Sequence, residues 1–162
     1  ADMARLREST SVAIAAGECE QTRFGFERLA RAGSLDIFQP DIAYCGGLTE
    51  FQKIAAIASA AHIDVVPHCW GLKLNLAVAA SAISMLPENP GRRERRPIFL
   101  EMDQTEHSVR DSIFLDSHTV VDGALQFNDL TGLGVTVDES ALNKFTLHID
   151  SSINEECFKL ET

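Results

Sequence analysis

Short apolar runs alternate with helical segments along the first hundred residues, with only a few residues at each junction, and this alternation restricts the fold more than any other feature of the chain. Residues 11–16, 36–39, 63–67 and 97–100 read as buried strands. Between them, residues 23–32 carry Phe24, Phe26, Leu29 and Ala30 at helical spacing, and residues 51–62 carry the stripe Ile54, Ala55, Ala58 and Ala61. Residues 72–86 form a third apolar helix. Gly33 stands where the first helix stops, Thr49 with Glu50 reads as the N-cap and first-turn acid of the second, and Pro87 ends the third. Strands separated by helices pair in parallel, because the crossover brings each strand back in the same direction. The fold class is therefore α/β, as a doubly wound sheet or a barrel.

Beyond residue 115 the texture changes. Residues 119–121 and 124–127 flank Asp122-Gly123, a two-residue hairpin signal. Residues 130–137, with two glycines, read as a loop or short strand, and residues 139–145 as a short helix. The last residues, from 146 onward, support no expectation. At the other end, residues 2–8 read as the tail of a helix, so the chain is expected to start mid-fold.

Each of the four strands runs into an ionisable residue: Glu18 after Ala16-Gly17, Asp41 after Gln39-Pro40, His68 after Val66-Pro67, and Glu101 after Phe99-Leu100. Taken singly, each has an ordinary explanation: a solvated acid at a helix start, a turn former, a satisfied core histidine, a surface residue at a strand end. Together they carry more weight, since the carboxyl ends of parallel strands converge on one mouth, where charge serves chemistry. Clustering carboxylates there is costly unless a cation or a shared proton neutralises them. Other candidates are weaker. His62 and Asp64 flank a helix-to-strand turn and read as solvated, and the run Arg92, Arg93, Arg95, Arg96 reads as a solvated face. Cys69 adjoins His68, but strand neighbours point to opposite sides, which places the pair poorly for proton transfer. Trp70 either lines the mouth or packs.

Composition removes several function classes. In 162 residues, 24 acidic against 14 basic side chains give a formal charge of −10, which opposes binding to nucleic acid or an anionic membrane surface. A carboxylate substrate would need local positive charge from a metal or basic side chains. No apolar run approaches the roughly 20 residues of a membrane helix, and the first residues lack a signal-peptide core, so a cytoplasmic location is expected. Cys19, Cys45, Cys69 and Cys157 form no CxxC pair and read as reduced thiols, not a zinc cluster or a disulfide framework.

The strings Ala15-Ala16-Gly17-Glu18, Asp36-Ile37-Phe38-Gln39-Pro40-Asp41 with Cys45-Gly46-Gly47-Leu48-Thr49-Glu50, Val65-Val66-Pro67-His68-Cys69-Trp70-Gly71 and Phe99-Leu100-Glu101-Met102-Asp103 resemble the second half of the barrel in mandelate racemase-type enzymes of the enolase superfamily. Gly132-Leu133-Gly134-Val135 resembles that family's closing segment. The resemblance covers residues 1–145 and implies the later strands of a (β/α)7β barrel of TIM type. On that pattern residues 1–117 are barrel, 118–145 are a closing ribbon and short helix returning toward a capping domain, and 146–162 are a tail of unknown structure.

The chemistry implied by the resemblance is removal of the proton alpha to a carboxylate, with Mg²⁺ holding the enediolate. Glu18 matches the third metal-ligating carboxylate, Asp41 and His68 match a dyad in which His68 is the general base or acid, and Glu101 matches a group that hydrogen-bonds the substrate. Physical chemistry suits these assignments: a hard dication prefers carboxylate oxygen, and a histidine beside a carboxylate is a reversible proton carrier near neutral pH. An aspartate, not a lysine, at position 41 favours the histidine branch. The strings around residues 67–71, 100–105 and 109–111 are most similar to those of enzymes acting on sugar acids and their lactones. A sugar-acid dehydratase is the expected activity, with a racemase or cycloisomerase, such as a galactarolactone cycloisomerase, or a non-catalytic assembly module as alternatives. The family's other two metal-ligating acids and its lysine would lie upstream, so this chain alone is expected to be inactive. A small carboxylate or sugar-acid substrate and a homo-oligomeric complete protein are the expected partners.

Overall fold

A computed structural model describes residues 2–87, 98–115, 118–127 and 132–146. Helix α1 (Asp2–Glu8) leads into strand β1 (Ala15–Ala16), helix α2 (Thr22–Arg31), strand β2 (Ile37–Phe38), the short helix α3 (Ile42–Cys45), helix α4 (Leu48–Ala60), strand β3 (Asp64–Val65) and helix α5 (Lys73–Ile83). The expected alternation is present, and β1, β2 and β3 form one parallel sheet in chain order. Ala15 pairs with Ile37 and Ile37 with Asp64, while Ala16 pairs with Phe38 and Phe38 with Val65.

The strands are shorter than the apolar runs, although backbone bonding continues past their ends: the Gln39 amide donates to the Ala16 carbonyl at 2.9 Å and the Val66 amide to Phe38 at 2.9 Å. Pro40 and Pro67 then interrupt the ladder, because neither has an N–H. Two expectations need correction. Thr49 is not the N-cap of α4; Gly47 is, with φ at +82°, directly after Gly46 at +112°. That left-handed glycine pair makes the tight turn from α3 to α4 and starts the helix one residue before Thr49. Residues 98–100 are not a strand: they form no ladder with β3, and Ile98 and Phe99 are 60% and 64% exposed. Pro97 lies outside the described residues.

Past that segment come helix α6 (Ser108–Ile113), strand β4 (Phe114–Leu115), strands β5 (His118–Val121) and β6 (Ala124–Phe127), strand β7 (Thr136–Val137) and helix α7 (Glu139–Lys144). The β5–β6 hairpin closes with Val121 opposite Ala124 and positive φ at both Asp122 and Gly123, as its sequence required. β4 pairs antiparallel with β7, and the Asp138 carboxylate caps α7 by accepting from the Ser140 and Ala141 amides. Among the described residues no helix is long and apolar enough to cross a membrane.

The core lies between the sheet and α2, α4 and α5. Phe26, Phe38, Phe51 and Ile54 are fully buried, with the rings of Phe26 and Phe38 edge to face at 5.1 Å. Charged side chains fasten the rim. Asp36 accepts from the Ile14 amide at 2.9 Å and from Arg7 Nε at 2.7 Å, fastening α1 to the sheet. Glu50, in the first turn of α4, accepts from the Arg23 amide and guanidinium at the start of α2 and from Lys53.

These bonds hold Asp36 below the ordinary carboxylate range, first through the Ile14 amide and then Arg7, and Glu50 likewise through the Arg23 amide and then Lys53. Both carboxylates bind protons less readily folded than unfolded, so their contribution is complete above the unfolded values near 4 and is lost as pH falls through the lower folded values. The melting temperature, followed by circular dichroism, should therefore drop steadily as pH falls below about 4. A flat profile down to strong acid would show that the two contacts contribute nothing.

Candidate functional site

The parallel sheet carries the ends of its strands to one side, and three of the four expected residues follow from it directly. Glu18 leaves β1 after Gly17, whose φ of +126° and whose approach to Phe26, 2.9 Å from an ideal Cβ, exclude a larger residue. Asp41 and His68 leave β2 and β3 after the buried prolines and pair as bridge partners, with the His68 amide donating to the Pro40 carbonyl at 3.2 Å. Bridge partners project side by side, and His68 Nδ1 lies 2.8 Å from Asp41 Oδ2. The other carboxylate oxygen of Asp41 accepts from the Ala43 and Tyr44 amides at 2.8 and 3.2 Å as the N-cap of α3. One oxygen fixed by the helix start leaves the second aimed at the imidazole. An ionised carboxylate only accepts, so Nδ1 carries the proton of that bond and Nε2 is left for chemistry.

Glu101 follows the segment that is not a strand. Its Oε2 accepts from the Cys69 amide at 3.1 Å, which sets the carboxyl one residue from His68. Two residues on, Asp103 accepts from both the amide and the hydroxyl of Thr105, at 2.8 and 2.6 Å. Those bonds, then the Gly71 amide and Arg110, hold it below the ordinary carboxylate range. The role of Asp103 and Arg110 in tying these loops together was not anticipated. The signal available was the spacing of Asp103 and Thr105, since an aspartate side chain readily accepts from the amide and hydroxyl two residues on. A cavity of about 210 Å³ opens behind, lined by Cys69, Gly71, Lys73, Asp103, Arg110 and His118 among others. A larger one, about 600 Å³, lies at the amino ends of the strands beside Arg7, Asp36, His62 and Asp64, and none of the four strand-end residues lines it.

The Cys69 side chain is buried, and burial first, then Glu101, pushes its thiol up to about 12; burial likewise pushes Cys45 up to about 11. Neither is a nucleophile at neutral pH. A thiol-modifying reagent should label the exposed Cys19 within minutes and reach Cys45 and Cys69 only on unfolding, as read by peptide mass. Prompt labelling of Cys69 in the folded protein would contradict this packing. His62 is exposed, as expected, and Trp70 is 62% exposed. Arg92, Arg93, Arg95, Arg96 and Cys157 lie outside the described residues.

Glu18 is exposed, and among the described residues its carboxylate has no hydrogen-bond or ion-pair partner. It thus offers free hard oxygen to a cation such as Mg²⁺. Among the described residues, however, no group of three or more histidine, cysteine, aspartate or glutamate side chains could hold a metal ion. The chain fits such an ion as the source of one ligand, and not as a complete site.

Residues 1–141 match the family described as enolase C-terminal domain-like. The chain is 32% identical over 144 residues to a D-galactarolactone cycloisomerase of Agrobacterium fabrum, covering 89% of this chain and 38% of that enzyme. It is 35% identical over 140 residues to a D-galactonate dehydratase of Xanthomonas oryzae pv. oryzae, covering 86% and 36%. The crystal structure of the 3,6-anhydro-D-galactonate cycloisomerase from Zobellia galactanivorans superimposes with a TM-score of 0.77 at 36% identity, covering 88% of this chain and 38% of that one. The chain therefore spans little more than a third of the length of these relatives. With its parallel α/β order and this match over most of its length, the chain belongs to the enolase superfamily, as C-terminal domain sequence of the mandelate racemase and muconate lactonizing enzyme family.

Proposed function

We propose that this chain supplies the histidine–aspartate acid–base pair and one Mg²⁺ ligand of an enzyme that removes the proton alpha to the carboxylate of a sugar acid, and that the reaction is dehydration of an aldonate or aldarate. The observation that carries the reading is the Asp41–His68 pair, 2.8 Å apart, with Asp41 locked by α3 and Nε2 left unbound to Asp41. Superfamily members generally use Mg²⁺, which, when bound, stabilises the negative charge that develops on the substrate carboxylate. His68 Nε2 takes or returns a proton, and Asp41 stabilises the imidazolium form. Loss of the alpha proton and of the neighbouring hydroxyl, which leaves as water after protonation, gives an enol that becomes a 2-keto-3-deoxy acid. Glu101, whose carboxyl accepts from the amide of Cys69 next to His68, hydrogen-bonds the substrate in this reading.

A second reading is cycloisomerisation on the same scaffold, favoured by the names of two of the relatives. Product mass separates the two, because dehydration removes water and isomerisation conserves composition. Either reaction needs metal ligands that the described residues lack, so this chain alone should not turn over. The direct experiment is Mg²⁺ calorimetry on this chain and on a version extended upstream. Binding by the longer protein only, abolished by Glu18→Gln, is expected. Equal binding by the Glu18→Gln variant would remove Glu18 from the metal site.

A further inference from the structure

We propose that Arg110 is a positioning residue that sets Glu101 beside His68 by way of Asp103; this rests on the acid–base reading above. In a regular parallel sheet the position of a strand-end carboxylate is fixed by backbone pairing. Among the described residues, 98–100 form no ladder with β3, and Glu101 meets the loop that carries His68 through its side chain. Glu101 reaches the Cys69 amide, and Asp103, two residues on, accepts from the amide and hydroxyl of Thr105, so the carboxylate that meets the loop carrying His68 is followed at once by a turn fixed by its own side chain.

One side chain closes this arrangement. The Arg110 side chain, on α6, is 12% exposed, and its Nη1 lies 2.8 Å from Asp103 Oδ2, whose own side chain is 7% exposed. The contact is an ion pair off the hydrogen-bond axis, since among the described residues no donor is aligned on that oxygen. The same guanidinium donates to the carbonyls of Asp103 and Thr105 and, through Nε at 3.0 Å, to Asp111. A planar group with five donors can hold several acceptors of one loop at once, which the point charge of a lysine cannot. Without Arg110, Asp103 becomes a buried carboxylate lacking its cation, and Glu101 keeps a single amide partner of its own on the loop.

The test is a double-mutant cycle of Arg110→Met and Glu101→Gln in the complete enzyme, read as kcat and KM for exchange of the substrate alpha proton, with Arg110→Lys alongside. Arg110→Met should lower kcat by about tenfold or more, since a displacement of order 1 Å at the reacting groups suffices for that, with KM nearly unchanged. On top of Glu101→Gln it should cost no more than about twofold further, because a residue acting through Glu101 has nothing left to position. Arg110→Lys should fall between. Additive losses across the cycle, or wild-type kcat in Arg110→Met, overturn the proposal while leaving the acid–base reading intact. If the wild-type enzyme exchanges no alpha proton, that reading falls, and hydrogen exchange at the Cys69 amide decides the matter by itself. Exchange about tenfold faster in Arg110→Met supports the positioning role, and unchanged protection refutes it.

Discussion

Replacing His68 by asparagine lowers turnover of the complete enzyme by at least about two orders of magnitude while the fold persists. The imidazole is a quarter exposed and its partner is a single carboxylate oxygen, so little packing depends on the ring. An asparagine amide still donates to Asp41 but has no atom that takes up a proton near neutral pH, and the loss falls on kcat. Steady-state kinetics beside far-UV circular dichroism checks both halves of the expectation. Near wild-type turnover by a folded His68→Asn protein would remove His68 from the mechanism.

The second large effect is on stability. Phe38→Ala deletes a fully buried ring from the middle strand of the sheet, where it meets Phe26 edge to face at 5.1 Å and its backbone pairs with Ala16 on one side and Val65 on the other. Neighbours on both flanks hinder collapse around the gap, so the cost should lie near 3–5 kcal/mol, out of the roughly 5–15 kcal/mol that holds a typical domain together. Urea unfolding of wild type and variant measures it. A cost below about 1 kcal/mol would mean that the sheet does not depend on this contact. Asp41 follows three residues later, so the same substitution should also loosen the Asp41–His68 pair.

The strand and helix order was legible because the apolar runs have the period of their elements and Gly33 and Pro87 mark where two of the helices stop. The mouth was legible because parallel strands impose a common direction, so Asp41 and His68 had to come near each other once both strands were recognised. What escaped depends on geometry that leaves no periodic trace. The N-cap of α4 moved from Thr49 to Gly47 because two glycines in the left-handed region reverse the chain sooner than a capping hydroxyl would. Residues 98–100 are as apolar as a strand, yet a strand exists only where a neighbour offers free carbonyls and amides in register. α6 spans six residues, too few to display a helical stripe, and its cap is the His107 ring accepting from the Arg110 amide.

Pro40 and Pro67 have a further consequence for how this scaffold diversifies. Each proline ends its ladder before the functional residue, and the one backbone bond beyond it, from the amide of residue 68 to the carbonyl of residue 40, is independent of either side chain. Any residue except proline keeps that bond. Position 68 is therefore free of the side-chain demands of the sheet beneath it, whereas position 41 also caps α3 and keeps that helix start only with a residue that can accept from the Ala43 and Tyr44 amides. A protein built this way can exchange the group at position 68 in a single step, with the intermediate still folded and exposed to selection.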